Sequence, residues 1–174
     1  IKKIIQGDNF LFPSGKDNTA GNKLSVSSTA TGPLLWSAEY FEPNPTYLSL
    51  SAPLLGASAK EYWTVVAPNN SQAFINIKWD PTSDVTPLIT PKANIRVARY
   101  TPGAPGTWGA ISTSSVGDNF NGTASTTVLV TSTGSDDYTL GSISLLKPRA
   151  KLTPGTSGVC GTDGIPITIT KPVP

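Results

Sequence analysis

Leu34-Leu35-Trp36-Ser37-Ala38-Glu39-Tyr40-Phe41 puts Leu34, Trp36, Ala38 and Tyr40 on one side of an extended chain, alternating with Leu35, Ser37 and Glu39. Strict alternation over four to eight residues is the mark of a half-buried β-strand. The same period runs outward in both directions. Leu24-Ser25-Val26 alternates, as do Leu48, Leu50 and Ala52 in YLSLSA, and Tyr62, Thr64 and Val66 oppose Trp63 and Val65. Ile75, Ile77 and Trp79 oppose Asn76 and Lys78, and Ile95 and Val97 oppose Asn94 and Arg96. Further strands are expected over Thr126–Thr131, Tyr138–Leu146 and Ile165–Thr170.

Turn chemistry separates these runs: Pro13-Ser14-Gly15, Glu42-Pro43-Asn44-Pro45, Pro68-Asn69-Asn70, Asp80-Pro81, Pro102-Gly103, Asn121-Gly122 and Gly134-Ser135-Asp136. Proline presets φ, while glycine and asparagine accept φ above zero. No stretch of ten residues carries the 3.6 period of a helix. The expected fold is therefore all-β, an antiparallel β-sandwich of Ig-like or jelly-roll-like kind. Composition shifts at Lys147-Pro148-Arg149, which divides the chain into a sandwich domain over 1–148, a linker over 149–164 and a terminal strand over 165–174. That strand has no following partner. It either returns to the sandwich, opens a further Ig-like domain or pads the edge of another molecule.

The 174 residues include no His, no Met and one Cys, and 14% are charged for a formal net charge of +2. Without histidine there is no Ser-His-Asp triad, no imidazole proton shuttle and no His-ligated zinc. A single Cys excludes an intrachain disulfide, Cys-rich zinc modules and iron–sulfur clusters. Near-neutral charge argues against nucleic acid as a partner. The apolar runs are far shorter than the roughly 18 residues of a membrane span. A chain that opens on IKKII is expected to be a processed or excised piece of something longer.

Several segments resemble, in order, modules of the large secreted and cell-surface proteins of Bacteroidetes, the type 9 secretion cargo. They are NFLFPSG (Asn9–Gly15), SAEYFEPNP (Ser37–Pro45), KEYWTV (Lys60–Val65), IKWDPTSDV (Ile77–Val85), IRVARY (Ile95–Tyr100) followed by Trp108, and YTLGSIS (Tyr138–Ser144). VCGTDGIPITIT (Val159–Thr170) is similar to the first strand of Ig-like repeats in the same giant proteins. The resemblance implies an adhesin-like, extracellular setting. In such an oxidising exterior Cys160 would be half of a disulfide whose other half lies elsewhere, or an unpaired loop residue.

Nine aromatic residues are the first candidates for a site: Trp36, Tyr40, Phe41, Tyr47, Tyr62, Trp63, Trp79, Tyr100 and Trp108. Trp36, Tyr40, Tyr62 and Trp79 are in phase with aliphatic neighbours and are expected in the core. Tyr47 and Trp108 adjoin turns and are the expected exposed pair, the candidate ligand-binding residues. Glu39 and Glu61 fall on predicted strands, where an edge or surface position is expected, and nothing in the sequence brings them together as a glycosidase pair. The aspartates of Asp80–Asp84 and Asp136-Asp137 lack calcium-loop spacing and suit turns. Asn121-Gly122 reads as a hairpin turn, and Arg96 points to solvent or an edge.

The expectation is a non-enzymatic structural or adhesive module of a long exported cell-surface protein, without catalytic residues, metal or cofactor. Its partners would be adjacent domains of that chain, surface glycans or other subunits of a surface assembly. One alternative is a carbohydrate-binding module of a secreted polysaccharide-active enzyme. The other is a surface-fibre subunit that donates its C-terminal strand to a neighbour.

Overall fold

The computed structural model describes residues 2–13 and 23–145. The strands are β1 (Lys2–Ile5), β2 (Asn9–Phe12), β3 (Leu24–Ser28), β4 (Leu34–Phe41), β5 (Gly56–Ala57), β6 (Tyr62–Val66) and β7 (Gln72–Trp79). After a short 3-10 turn (Lys92–Asn94) come β8 (Ile95–Thr101), β9 (Thr107–Ala110), β10 (Thr113–Gly117), β11 (Gly122–Thr126), β12 (Val130–Thr131) and β13 (Ser135–Ser142). The first sheet runs β1-β4-β6-β13-β8-β9, with β5 also on β13. The second runs β10-β11-β7-β3-β2, with β12 also on β7. All these pairings are antiparallel. The fold is an all-β sandwich.

The chain crosses between sheets at both sides. It leaves the first sheet at its β1 edge and enters the second at its β2 edge, turning at Gly7 with φ +62°. On the far side β9 ends the first sheet and β10 begins the second, and Ile111 N donates to Val97 O at 2.9 Å across the corner.

Alternation decides the core. Trp36 and Ala38 of β4, Trp63 and Val65 of β6, and Ile75, Ile77 and Trp79 of β7 pack into one buried cluster with Leu24, Val26, Ile95, Val97 and Leu140. Gly122 lies against Trp79: a Cβ there would sit 2.0 Å from Cζ2 of the indole. Indole Nε1 of Trp79 donates to Asp118 O at 3.1 Å, at the mouth of the β10–β11 hairpin. The Asn121-Gly122 turn reading holds, with Asp118 Oδ1 accepting from the backbone N–H of both Phe120 and Asn121 at 2.7 Å.

A second apolar cluster lies on the outer face of the first sheet. Ala98 and Tyr100 of β8 stand opposite Ala110 and Trp108 of β9, out of phase with the core residue Val97. The segment between β4 and β5 lies over them, so that Leu54, Ala57, Ala98 and Trp108 are buried, with Tyr47, Leu50, Tyr62 and Tyr100 packed against them. Trp108 N donates to Ser49 O at 2.7 Å and Ser51 N to Trp108 O at 2.9 Å, which covers the β9 edge. Gly141 admits this cover, because a Cβ would meet Gly56 O and Leu54 Cδ1, each at 2.9 Å.

Two expected strands are corrected. YLSLSA is not a sheet strand: among the described residues its ladder contact is an isolated bridge, Leu50 to Trp108, and its alternation serves the cover instead. Thr126–Thr131 is interrupted, since β11 and β12 pair with the same β7 and residues 127–129 bulge between them, with Val128 and Leu129 exposed. Tyr138–Leu146 begins earlier, at Ser135, and ends at Ser142. The linker over 149–164, Cys160, the terminal strand over 165–174 and most of the Pro13-Ser14-Gly15 turn lie outside the described residues.

The outer cluster is a core in energetic terms. Trp108→Ala is expected to cost about 3–5 kcal/mol in urea denaturation. Leu35→Ala, at a side chain 51% exposed, should change stability by less than about 0.5 kcal/mol. Equal effects of the two substitutions would contradict this division.

Candidate functional site

The strongest concentration of chemically capable side chains is a buried polar cluster where the two sheets meet. Lys23 sits one residue before β3, and its carbonyl extends the β3–β7 ladder by accepting from Lys78 N at 2.8 Å. Glu61 sits one residue before β6, in phase with the core residues Trp63 and Val65. The two side chains are 3% and 2% exposed. Nζ of Lys23 donates to Oε1 and Oε2 of Glu61 at 2.9 and 3.1 Å, to Ser83 Oγ at 3.1 Å and to Thr82 Oγ1 at 3.2 Å. It lies 3.2 Å from Oδ1 of Asp80 as well, so one ammonium faces two carboxylates.

Local turn chemistry holds the second carboxylate. Asp80 Oδ1 accepts from Thr82 N at 2.8 Å and Thr82 Oγ1 at 2.6 Å, while Ser83 N donates to Asp80 O at 3.0 Å. The Ser83 hydroxyl bridges the acids, 3.3 Å from Glu61 Oε1 and 3.4 Å from Asp80 Oδ1. Four residues on, Asp84 caps the turn ahead of Glu61, accepting from Ser58 Oγ at 2.5 Å, Ala59 N at 2.8 Å and Lys60 N at 3.1 Å. The backbone of Glu61 is held from both sides, its N–H by Ser58 Oγ and its C=O by Thr139 Oγ1.

Burial pushes the Glu61 carboxyl above its ordinary 4.5, with the ammonium of Lys23 opposing that push. Burial also acts to raise Asp80, but the hydrogen bonds from Thr82 and the charge of Lys23 outweigh it and leave the group lowered. Tyr40 Oη donates to Glu42 Oε2 at 2.9 Å and lies 3.4 Å from Glu61 Oε2. Its phenol is raised by burial and then by those two carboxylates.

A second ionic cluster braces the opposite end of β13. Arg99 donates to Asp136, which also accepts from Thr133 Oγ1 at 2.6 Å and Thr133 N at 3.1 Å. The turn reading of Asp80 and Asp136 therefore describes their geometry, and Asp84 adds a longer-range cap. Asp137 instead accepts from Thr64 Oγ1 across the β6–β13 pair at 2.6 Å.

The expected exposed aromatic pair is corrected. Trp108 is 1% exposed, because the cover between β4 and β5 closes over it and Thr46 Oγ1 accepts from its Nε1 at 3.1 Å. Tyr47 is half-buried and lines an apolar groove of about 430 Å³ with Leu48, Leu50, Leu55, Ile89 and Leu145. Phe41 and Tyr62 stack on one another at 5.0 Å and 15°, so each ring covers a face of the other. Glu61 is also corrected: its inward phase, with a partner from β3, places it inside. Glu39 is exposed, paired across strands with Thr64 on the outer face, so the two glutamates point to opposite sides of the first sheet. Arg96, half-buried, donates to the carbonyls of Ala93 and Ile95 rather than lying at a sheet edge.

Lys23 carried no signal, since its partner arrives 38 residues later. Glu61 becomes legible only once Trp63 and Val65 are seen to face inward: Tyr62, expected in the core, lies on the outer face instead, and a carboxylate in the inward phase demands a buried partner. Among the described residues no helix is long and apolar enough to cross a membrane. No protein-family model, curated protein or solved structure matches the chain.

The Arg99–Asp136 cluster has a pH signature. Burial alone would raise Asp136, but the hydrogen bonds from Thr133 and Arg99 prevail and hold it below 3.8. A carboxyl lowered in the folded state stabilises the fold above its unfolded value and loses that contribution as pH falls through the folded one. The stability advantage of wild type over Asp136→Asn is thus expected to be full at neutral pH and to shrink below about 3.8. A gap that stays constant across that range contradicts the assignment.

Proposed function

We propose that this chain is a non-enzymatic structural or adhesive module of a long exported cell-surface protein, joined to Ig-like neighbours through its Pro- and Gly-rich C-terminal region. The observation that carries the reading is where the buried and half-buried charges are placed. Lys23, Glu61 and Asp80 join the ends of β3, β6 and β7; Asp84 caps the turn before β6; Arg99 and Asp136 brace β8 against β13. Each of these groups holds strand ends and turns in place, an arrangement suited to a rigid spacer. Few charges, many Ser and Thr residues and abundant β-propensity fit a solvated extracellular surface. The ordered resemblance of Asn9–Gly15, Ser37–Pro45, Lys60–Val65, Ile77–Val85 and Tyr138–Ser144 to modules of type 9 secretion cargo supports the same setting.

The test is location on the cell. An antibody raised against the folded domain should label intact cells of the organism that makes it, and surface protease should release the epitope. Labelling that requires permeabilised cells would overturn the proposal.

A further inference from the structure

The Lys23 cluster holds more than an ion pair requires. An amine and the carboxylate of Asp80 stand 3.2 Å apart at the ends of neighbouring strands, with a second carboxylate 2.9 Å from the amine. The Ser83 hydroxyl lies within 3.4 Å of both acids, and two donors from Thr82 are fixed on Oδ1 of Asp80. We propose that Lys23 and Asp80 are joined by a side-chain amide bond that forms within the folded chain, with Glu61 carrying the proton.

The parts needed for a condensation that requires no external catalyst are present. Glu61 Oε1 takes a proton from the Lys23 ammonium, leaving a neutral amine, and Ser83 passes that proton to the Asp80 carboxylate. Burial favours a protonated Glu61, which suits it to this relay. The amine lone pair attacks Cγ of Asp80 and the negative charge collects on Oδ2, while the N–H and O–H of Thr82 hold Oδ1, the oxygen that Ser83 protonates. A second proton follows the same route from the nitrogen through Glu61 and Ser83 to Oδ1, and the C–Oδ1 bond breaks as the C=Oδ2 bond re-forms. Of the three ammonium protons two leave with Oδ1 as water and one stays on the amide nitrogen, so no oxidant or co-reactant is needed.

Amide formation from a free acid and amine is unfavourable in dilute water. Held in contact by the fold, the pair reacts at effective concentrations on the order of 10⁵–10⁸ M. Lys23 is 3% exposed, which keeps bulk water from the reacting nitrogen. The product would tie the start of β3 to the end of β7 and constrain the unfolded chain, as a disulfide does. The amide N–H would remain beside Glu61, so the cluster keeps its place in the fold.

Mass spectrometry of the whole denatured chain reads the reaction directly. Wild type is expected one water lighter than its sequence, and proteolysis should yield a branched peptide linking the segments that contain Lys23 and Asp80. Lys23→Arg, which keeps the charge, and Asp80→Ala should both show the full sequence mass. Glu61→Gln should do the same if it carries the proton, and a Glu61→Gln chain that still loses water would remove Glu61 from the mechanism. Wild type at full mass, or a water loss that maps to other residues, overturns the proposal without reference to any variant.

Discussion

The buried contact between Lys23 and Glu61 is the constraint on which the arrangement of the two sheets depends. Lys23 continues β3 of the second sheet and Glu61 precedes β6 of the first, so their 2.9 Å contact fastens one sheet to the other. An ion pair so deeply buried gives little net stability, because removing two charges from water costs nearly what their attraction returns. What it does give is intolerance of error. Any register that separates the pair leaves the Glu61 carboxylate buried without the ammonium. Ser83, Thr82 and Asp80 reach the ammonium from the turn after β7, while Asp84 of the same turn fixes the segment that leads to Glu61.

The second feature that shapes the molecule is an outer core on one half of the first sheet. Small residues make it possible. Ala98, Ala110 and Gly141 leave space above β8, β9 and β13, and the segment after β4, with β5, fills that space with Leu50, Leu54 and Ala57 around Trp108. Asn44 pins the beginning of the cover, donating from its N–H to Ala59 O at 3.0 Å and from Nδ2 to Ser58 O at 2.8 Å. Those acceptors belong to the turn capped by Asp84, so the outer core and the buried ion pair share one anchoring segment.

This division explains what was legible in the sequence. Strands with one covered face show clean alternation: Leu34–Phe41 is β4 to the residue, and Trp36 and Trp79 fall in the core as expected, whereas on β6 the faces are exchanged, with Trp63 inside and Tyr62 on the outer face. Alternation fails as a guide where burial comes from something other than the opposite sheet. YLSLSA alternates because one of its sides rests on the outer face, not because it pairs within a sheet. Trp108 adjoins the Pro102–Gly106 turn and so looks exposed, yet a segment more than fifty residues earlier in the chain covers it. Lys23 is least legible of all, since a lysine beside a strand ordinarily points to water and here the carboxylates of Glu61 and Asp80 draw it inside.

Chemical denaturation of Glu61→Ala made in an Asp80→Ala chain, with Asp80→Ala alone as the reference, tests the central claim most directly, because no Lys23–Asp80 amide can form there and Glu61 is the carboxylate left on Lys23. Losing one partner of a buried pair should lower unfolding stability by about 3–5 kcal/mol. A loss within about 0.5 kcal/mol, the range of an ordinary surface substitution, would contradict the account.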